Sequence, residues 1–322
     1  MQSLKRSIGW AAALAAVVGV VFGLVIAPAV PAGAATGVAF LKSGVDARAA
    51  LLGHAVTSSV DDASACFWNP AGLAAAGRPE LLLTHTESFA DLRHEYFAVT
   101  QPLGELGPLG GAATAGLSFN GIWTDNLEGY DEAANPTGSF GYSAYEAAVA
   151  LGSEVRWGLT IGGSLSYLRE DIGNYSATGW TGGVGVQWKP EVWGAGGAPV
   201  SLGLAVRNIG PGMTYISEEF ELPLTVQGGV TWTHRRPGRA NSVRIAAEVR
   251  HVRDEGSAFL AGAEYGFLDL LSLGLGYQTA HDTRDLSVGL GAHRGGFDLH
   301  WAYVPFSEDL GDEHRFSLRV GL

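Results

Sequence analysis

In the stretch Leu271-Ser-Leu-Gly-Leu-Gly-Tyr-Gln278, every second position is Leu or Tyr, and the positions between hold Ser, Gly or Gln. Successive side chains of an extended chain point to opposite sides. Such a pattern therefore puts an apolar stripe on one face of a strand and small or polar groups on the other. The phrase returns in Leu286-Ser-Val-Gly-Leu-Gly291, Val200-Ser-Leu-Gly-Leu-Ala205 and Leu159-Thr-Ile-Gly-Gly-Ser164, as a weak internal repeat of a hairpin unit. Broken at turn residues, the alternation predicts fourteen strands, at 80–89, 93–102, 109–122, 141–152, 156–170, 174–189, 198–209, 221–234, 241–253, 256–266, 270–281, 284–293, 296–305 and 313–322. Most of these spans cover 10 to 14 residues. Strands of soluble proteins usually run about 5 or 6 residues, while a tilted strand crossing a bilayer needs about 9 to 11. Length favours the membrane.

The 47 glycines follow no Gly-X-Y period and are spread among Val, Leu, Tyr and Trp, so they belong to the strands. In the last strand Phe316, Leu318, Val320 and Leu322 alternate with Arg315, Ser317, Arg319 and Gly321. A soluble sandwich would turn the polar row outward, a membrane barrel would turn it into the lumen, and either arrangement fits one strand taken alone. The aromatic residues decide. Trp157, Trp188 and Trp232 fall at one rim of an up-and-down cylinder and Trp123, Trp180 and Tyr303 near the other, where amphipathic rings meet lipid headgroups. The two longest connections, 123–140 and 210–220, share one side. The expected fold is all-β, a 14-stranded antiparallel up-and-down transmembrane β-barrel over residues 80–322.

Lys5 and Arg6 precede the apolar run Ile8 to Ile26, and Pro28, Pro31 and Ala32-Gly-Ala-Ala35 follow it. That order is a secretory signal, so residues 1–35 are expected to be a signal peptide; the run is also long enough for an uncleaved anchor. Either way the rest of the chain leaves the cytoplasm. A net charge of −12 argues against nucleic acid as a partner. The single cysteine, Cys66, can form neither an internal disulfide nor a Cys-rich metal site, and is read as a small buried hydrophobe. No HExxH, nucleophile elbow or phosphate-binding loop occurs, so no metal, cofactor or enzymatic activity is expected. Adjacent Asp61 and Asp62 are read as a helix cap or a solvated turn rather than an acid–base pair.

The inward row carries Arg207, Arg244, Glu248, Arg250, Glu264, Asp298, His300, Arg315 and Arg319. These mixed charges are read as a network that stiffens the wall and meets a plug, in preference to a polar substrate path. Few large apolar residues fall on this row, which disfavours a greasy tunnel.

Residues 36–79 precede the first strand and lack its alternation. Within them Phe40-Leu-Lys-Ser-Gly-Val-Asp-Ala-Arg48, Gly53-His-Ala-Val56, Asp61-Asp-Ala-Ser64 and Trp68-Asn-Pro-Ala-Gly-Leu73 resemble the N-terminal signature of the PorV/PorQ family of FadL-like outer-membrane barrels. His54 departs from it, standing where the family tends to have glycine. The resemblance implies that residues 36–79 are a hatch tucked into the lumen of a bacterial outer-membrane barrel. Asp62, Asn69, Pro70, Ala71 and Gly72 would belong to it, facing a wall that includes Arg207, Arg244, Arg250 and Arg319. Local chemistry agrees, since Pro70 fixes its own φ and pushes Asn69 out of the helical region, and Gly72 permits close approach. Two non-enzymatic functions are implied. One is export and surface attachment of proteins in the manner of type IX secretion, with exported proteins as partners; the alternative is a FadL-like channel for hydrophobic small molecules. The sparse apolar groups of the lumen row favour the first.

Overall fold

The computed structural model describes residues 36–88, 91–105, 111–131, 133–190, 200–235, 240–279, 285–306 and 311–322. The expected signal peptide, residues 1–35, lies outside the described residues. The barrel begins with β1 (Glu80–Glu87), β2 (Arg93–Gly104), β3 (Ala113–Tyr130), β4 (Pro136–Arg156), β5 (Leu159–Ile172), β6 (Tyr175–Trp188) and β7 (Val200–Ile209). A separate two-stranded hairpin follows, β8 (Met213–Tyr215) with β9 (Glu218–Phe220). The wall resumes with β10 (Thr225–Arg235), β11 (Ser242–Val252), β12 (Gly256–Phe267) and β13 (Leu271–Gln278). It ends with β14 (Leu286–Arg294), β15 (Phe297–Pro305) and β16 (Asp312–Gly321). Fourteen antiparallel strands close into one cylinder, β1 pairing with β16 from Glu80 opposite Gly321 to Glu87 opposite His314.

Burial alternates along the wall as the sequence does. In β13, Leu271, Leu273, Leu275 and Tyr277 are exposed while Ser272, Gly274, Gly276 and Gln278 are buried. Leu273 and Leu275 are 59% and 54% exposed, and their neighbours across the ladder are Leu290 and Val288, also exposed. The apolar rows thus face outward and do not pack against one another in an interior. A belt of this extent on the outside of a closed sheet is covered by hydrocarbon chains, which excludes the soluble sandwich. Trp157, Trp188 and Trp232 stand at the rim where β1 begins, the terminal rim, with the Trp188 indole donating to the Trp157 carbonyl at 3.2 Å. Trp180 packs on Tyr167 at 5.3 Å between ring centres, towards the far rim.

Two expected loops are strands instead. β3 and β4 go on pairing past Trp123, with Leu127 opposite Phe140 and Tyr130 opposite Pro136. Beyond the bilayer neither face of such a hairpin meets lipid, so its sequence has no reason to alternate, and its Asp, Gly and Pro residues resemble turn signals. The connection 210–220 likewise contains the β8–β9 hairpin, Met213 opposite Phe220.

Residues 36–79 run inside the cylinder as short helical turns: η1 (Ala39–Lys42), α1 (Ala47–Leu51), α2 (Ala65–Trp68) and η2 (Pro70–Ala75). Asp46 caps α1 by accepting from the Ala49 amide at 2.8 Å, and Pro70 opens η2 after Asn69. α1 packs against β13 to β16 and η2 against β3 to β6, so the segment bridges opposite walls. Leu51, Leu52 and Trp68 are buried with Tyr96, Ala302 and Val304 of the wall. Each fully buried leucine contributes about 1.5–3 kcal/mol.

Replacing Leu275 in the outer belt with Arg is expected to destabilise the barrel by about 2–4 kcal/mol. Denaturant unfolding in lipid bilayers measures this, with Leu275→Phe as the near-neutral control.

Candidate functional site

An irregular backbone inside a lumen needs partners for its N–H and C=O groups, and here the wall supplies them from side chains. The Glu248 carboxylate accepts from the Thr57 and Ser58 amides at 3.1 and 2.8 Å and from the Ser58 hydroxyl at 2.7 Å. Gln227 donates to Glu248 and to the His54 carbonyl, both at 2.8 Å. Gln187 donates to the Thr57 and Val60 carbonyls at 3.1 and 2.9 Å, and Ser287 to the Ala50 carbonyl at 2.6 Å. Where the segment comes closest, the wall is glycine. A Cβ at Gly203 would overlap the backbone of Ser58, and one at Gly276 the backbone of Gly53.

The residues singled out by sequence fall in two places. Asn69 is fully buried; its amide donates to the Thr57 and Val186 carbonyls at 2.9 and 3.2 Å while its oxygen accepts from the Ala71 amide at 3.1 Å. Pro70 and Ala71 lie against β5, and a Cβ at Gly72 would collide with the Val60 carbonyl. Asp62 accepts from the Ser64 amide and hydroxyl at 2.9 and 2.6 Å, a turn ahead of α2 whose N-cap position is Ser64, so it is neither the helix cap nor the solvated turn expected: it is buried. Its other oxygen faces Arg48 at 3.4 Å and Arg319 at 3.7 Å. Burial disfavours the charged form of Asp61, yet Arg48, Arg244, Lys189 and Arg319 outweigh it and hold that carboxyl well below the usual range. Arg319 also pairs with Asp298 and with Glu80 at 3.6 Å, and Arg244 meets Glu264 at 3.6 Å, which completes a charged layer at the terminal rim.

Arg207 and Arg250 sit apart from that layer. The Arg207 guanidinium lies 4.8 Å from the Phe67 ring centre and 5.1 Å from that of Trp68, clamping α2 from the wall. Arg250 is buried on the inward face, opposite Gln227 in the ladder. Burial pushes the Cys66 thiol up to about 12, which removes it as a nucleophile. The void among Asp46, Arg48, Ser59, Asp62 and Arg244 holds about 10 Å³, at most a single water.

At the far rim the geometry changes. The start of the inner segment, the extended ends of β3 to β6 and the β8–β9 hairpin enclose a cavity of about 700 Å³. Val38, Phe40, Ile122, Leu127, Ile172 and Phe220 give it apolar walls. One carboxylate enters it: Glu170, 4% exposed, accepts from the Tyr142 hydroxyl at 2.7 Å and from the Tyr215 hydroxyl. Val38 on its floor has φ 57° and ψ 48°, a left-handed conformation that β-branched residues rarely adopt. The segment is tied down there by Thr36 and Lys42, whose side chains reach Asp254 at 2.7 and 2.6 Å.

The expectation of a lumen without large apolar groups fails at this rim. Most of the apolar side chains come from the inner segment, the strand ends past the expected spans and the small hairpin, none of which carries the alternation; Ile122 is the exception, on the inward row of an expected strand. Glu170 was missed as well, although it shares parity with inward-facing Ser166 and Leu168.

The sequence profile of the uncharacterised protein family UPF0164 matches residues 34–286, covering the inner segment and most of the barrel. The chain belongs to that family. Among solved structures similar to this UPF0164 chain, the toluene transporter TbuX of Ralstonia pickettii has a TM-score of 0.59 at 12% identity over 87% of this chain and 98% of that one. The toluene transporter TodX of P. putida has 0.55 at 13% identity over 87% and 99%. A FadL homologue of Pseudomonas aeruginosa has 0.55 at 11% identity over 85% and 97%. What these likenesses show is a shared fold, that of a closed antiparallel β-barrel. No curated protein matches the sequence.

Asn69→Ala removes three hydrogen bonds in a buried setting and is expected to loosen residues 57–72 by about 1–3 kcal/mol. Limited proteolysis of the folded barrel measures it: cleavage in that stretch should rise while the heat-dependent gel mobility of the barrel stays unchanged.

Proposed function

We propose that the protein is a FadL-like channel of the bacterial outer membrane that admits hydrophobic small molecules, with the far-rim cavity as the entry site and residues 36–79 as the hatch. The apolar cavity of about 700 Å³ carries this reading, since its size and lining suit a small apolar ligand. A compound entering it leaves water at a gain of about 25 cal/mol for each Å² of apolar surface buried. Val38 and Phe40, which would contact it, belong to the hatch itself, so occupancy bears directly on the element that closes the lumen. Asn69 and the Glu248, Gln187 and Gln227 contacts hold the hatch through polar bonds that water can replace, whereas Asp62 with Arg244 and Arg319 would form the latch on the terminal side. Arg207 and Arg250 would steady α2 during movement. The names of TbuX and TodX, transporters of toluene, point the same way.

The PorV/PorQ reading, with exported proteins as partners, draws on the signature between residues 40 and 73. That signature marks the hatch rather than the cargo, and an apolar cavity of molecular size favours the small molecule. Export by a signal peptide over residues 1–35 and outer-membrane lipid as the surrounding partner belong to both readings.

Ala39 is exposed on the cavity floor, and Ala39→Trp would fill the space while leaving every residue of the wall ladder in place. Proteoliposomes carrying the native protein should take up a radiolabelled alkylbenzene faster than empty vesicles, and Ala39→Trp should lose most of that uptake with unchanged thermal stability. Equal uptake by the two proteins would sink the assignment.

A further inference from the structure

Resting on the cavity as the entry site, we infer that Glu170 makes it selective against carboxylates, so that its ligands are uncharged apolar compounds, including alcohols and phenols, and not acids. Among the described residues lining the cavity, Glu170 is the single Asp or Glu, and there is no Lys, Arg or His. Its two oxygens are held by Tyr142 and Tyr215, and those hydroxyls are thereby spent. Burial, and then Glu170 itself, raise the Tyr215 phenol, so it remains a donor fixed on Glu170. A ligand carboxylate would arrive beside a buried like charge, with no cation among the described lining residues to offset the loss of its water.

The cations nearby are already matched. Lys42 pairs with Asp254 at 2.6 Å and Glu255 at 3.3 Å, Arg253 with Glu221 at 3.1 Å, and Arg169 with Asp171 at 2.9 Å. β9 adds exposed Glu218 and Glu219 beside the mouth. The approach is therefore negative as well as the interior, and low local polarity lengthens the reach of both. An uncharged ligand meets none of these penalties. If it bears a hydroxyl, it can donate to Glu170 in place of one tyrosine.

The test compares three ligands of equal body, hexylbenzene, 4-hexylphenol and 4-hexylbenzoate, by equilibrium dialysis at pH 8 against the full chain in lipid nanodiscs, with empty nanodiscs subtracted. Hexylbenzene and hexylphenol should bind, and hexylbenzoate on the order of tenfold or more weaker. Glu170→Gln keeps the shape and one acceptor oxygen, its NH2 donating to the hydroxyl of the other tyrosine, and removes the charge; it should bring hexylbenzoate close to hexylphenol. Ile216→Lys, at a cavity-lining position 79% exposed on the small hairpin, adds a cation without disturbing the wall and should narrow the same gap. Failure of all three ligands to bind the native protein overturns the channel reading itself. Binding of the neutral pair, with hexylbenzoate equal to hexylphenol or with a gap that both variants leave untouched, overturns the selectivity alone.

Discussion

Backbone N–H and C=O groups have no partner in hydrocarbon, and every other property of this molecule follows from that. Closure of β1 on β16 removes the last unpaired edge of the sheet. Once the cylinder is closed, the row of side chains facing outward must be apolar and the row facing inward is released from lipid. The inward row is then free to serve a second chain segment, and Ser, Gln and Glu on it take up the carbonyls and amides of residues 36–79.

Glycine makes that service possible. Packing a backbone with little regular structure against a β-wall requires that the wall present no Cβ at the closest points, as at Gly203 and Gly276. The abundance of glycine in strands, which ordinarily weakens a sheet, is tolerated because lipid and ladder closure stabilise the wall independently. The inner segment in return fills the lumen with Leu51, Leu52 and Trp68, so wall and filling have complementary compositions.

The strands were legible in the sequence because lipid imposes a strict period of two, and departures from the expected spans are mostly a few residues at the ends. Legibility stopped where lipid stops. The extension of β3 and β4 and the β8–β9 hairpin carry no alternation, and together with the inner segment they supply Leu127, Tyr215, Ile216 and Phe220 beside Val38 and Phe40 in the cavity lining. The inward charges were legible as a group but not by role: parity places Glu248 and Arg319 on one face, yet nothing local tells that the first holds backbone amides while the second joins an ion cluster. Glu170 lies 28 residues from Tyr142 and 45 from Tyr215, and no short-range pattern marks a contact of that span. The signature around Asn69-Pro70 was legible as a turn, and its seat between β4 and β6 was not.

The polar anchors of the inner segment join residues far apart in the chain. Ser58 is 190 positions from Glu248, Ala50 is 237 from Ser287, and Ala47 is 270 from Ser317. The part of this segment that leaves the ribosome first can thus settle only after nearly all the strands are in place. Until then Leu51, Trp68 and their neighbours have nothing to lie against, and the chain must reach the bilayer with these side chains unshielded. Seating of residues made before every strand becomes the final event of assembly, and a holdase that recognises short apolar stretches would be needed longest on residues 36–79.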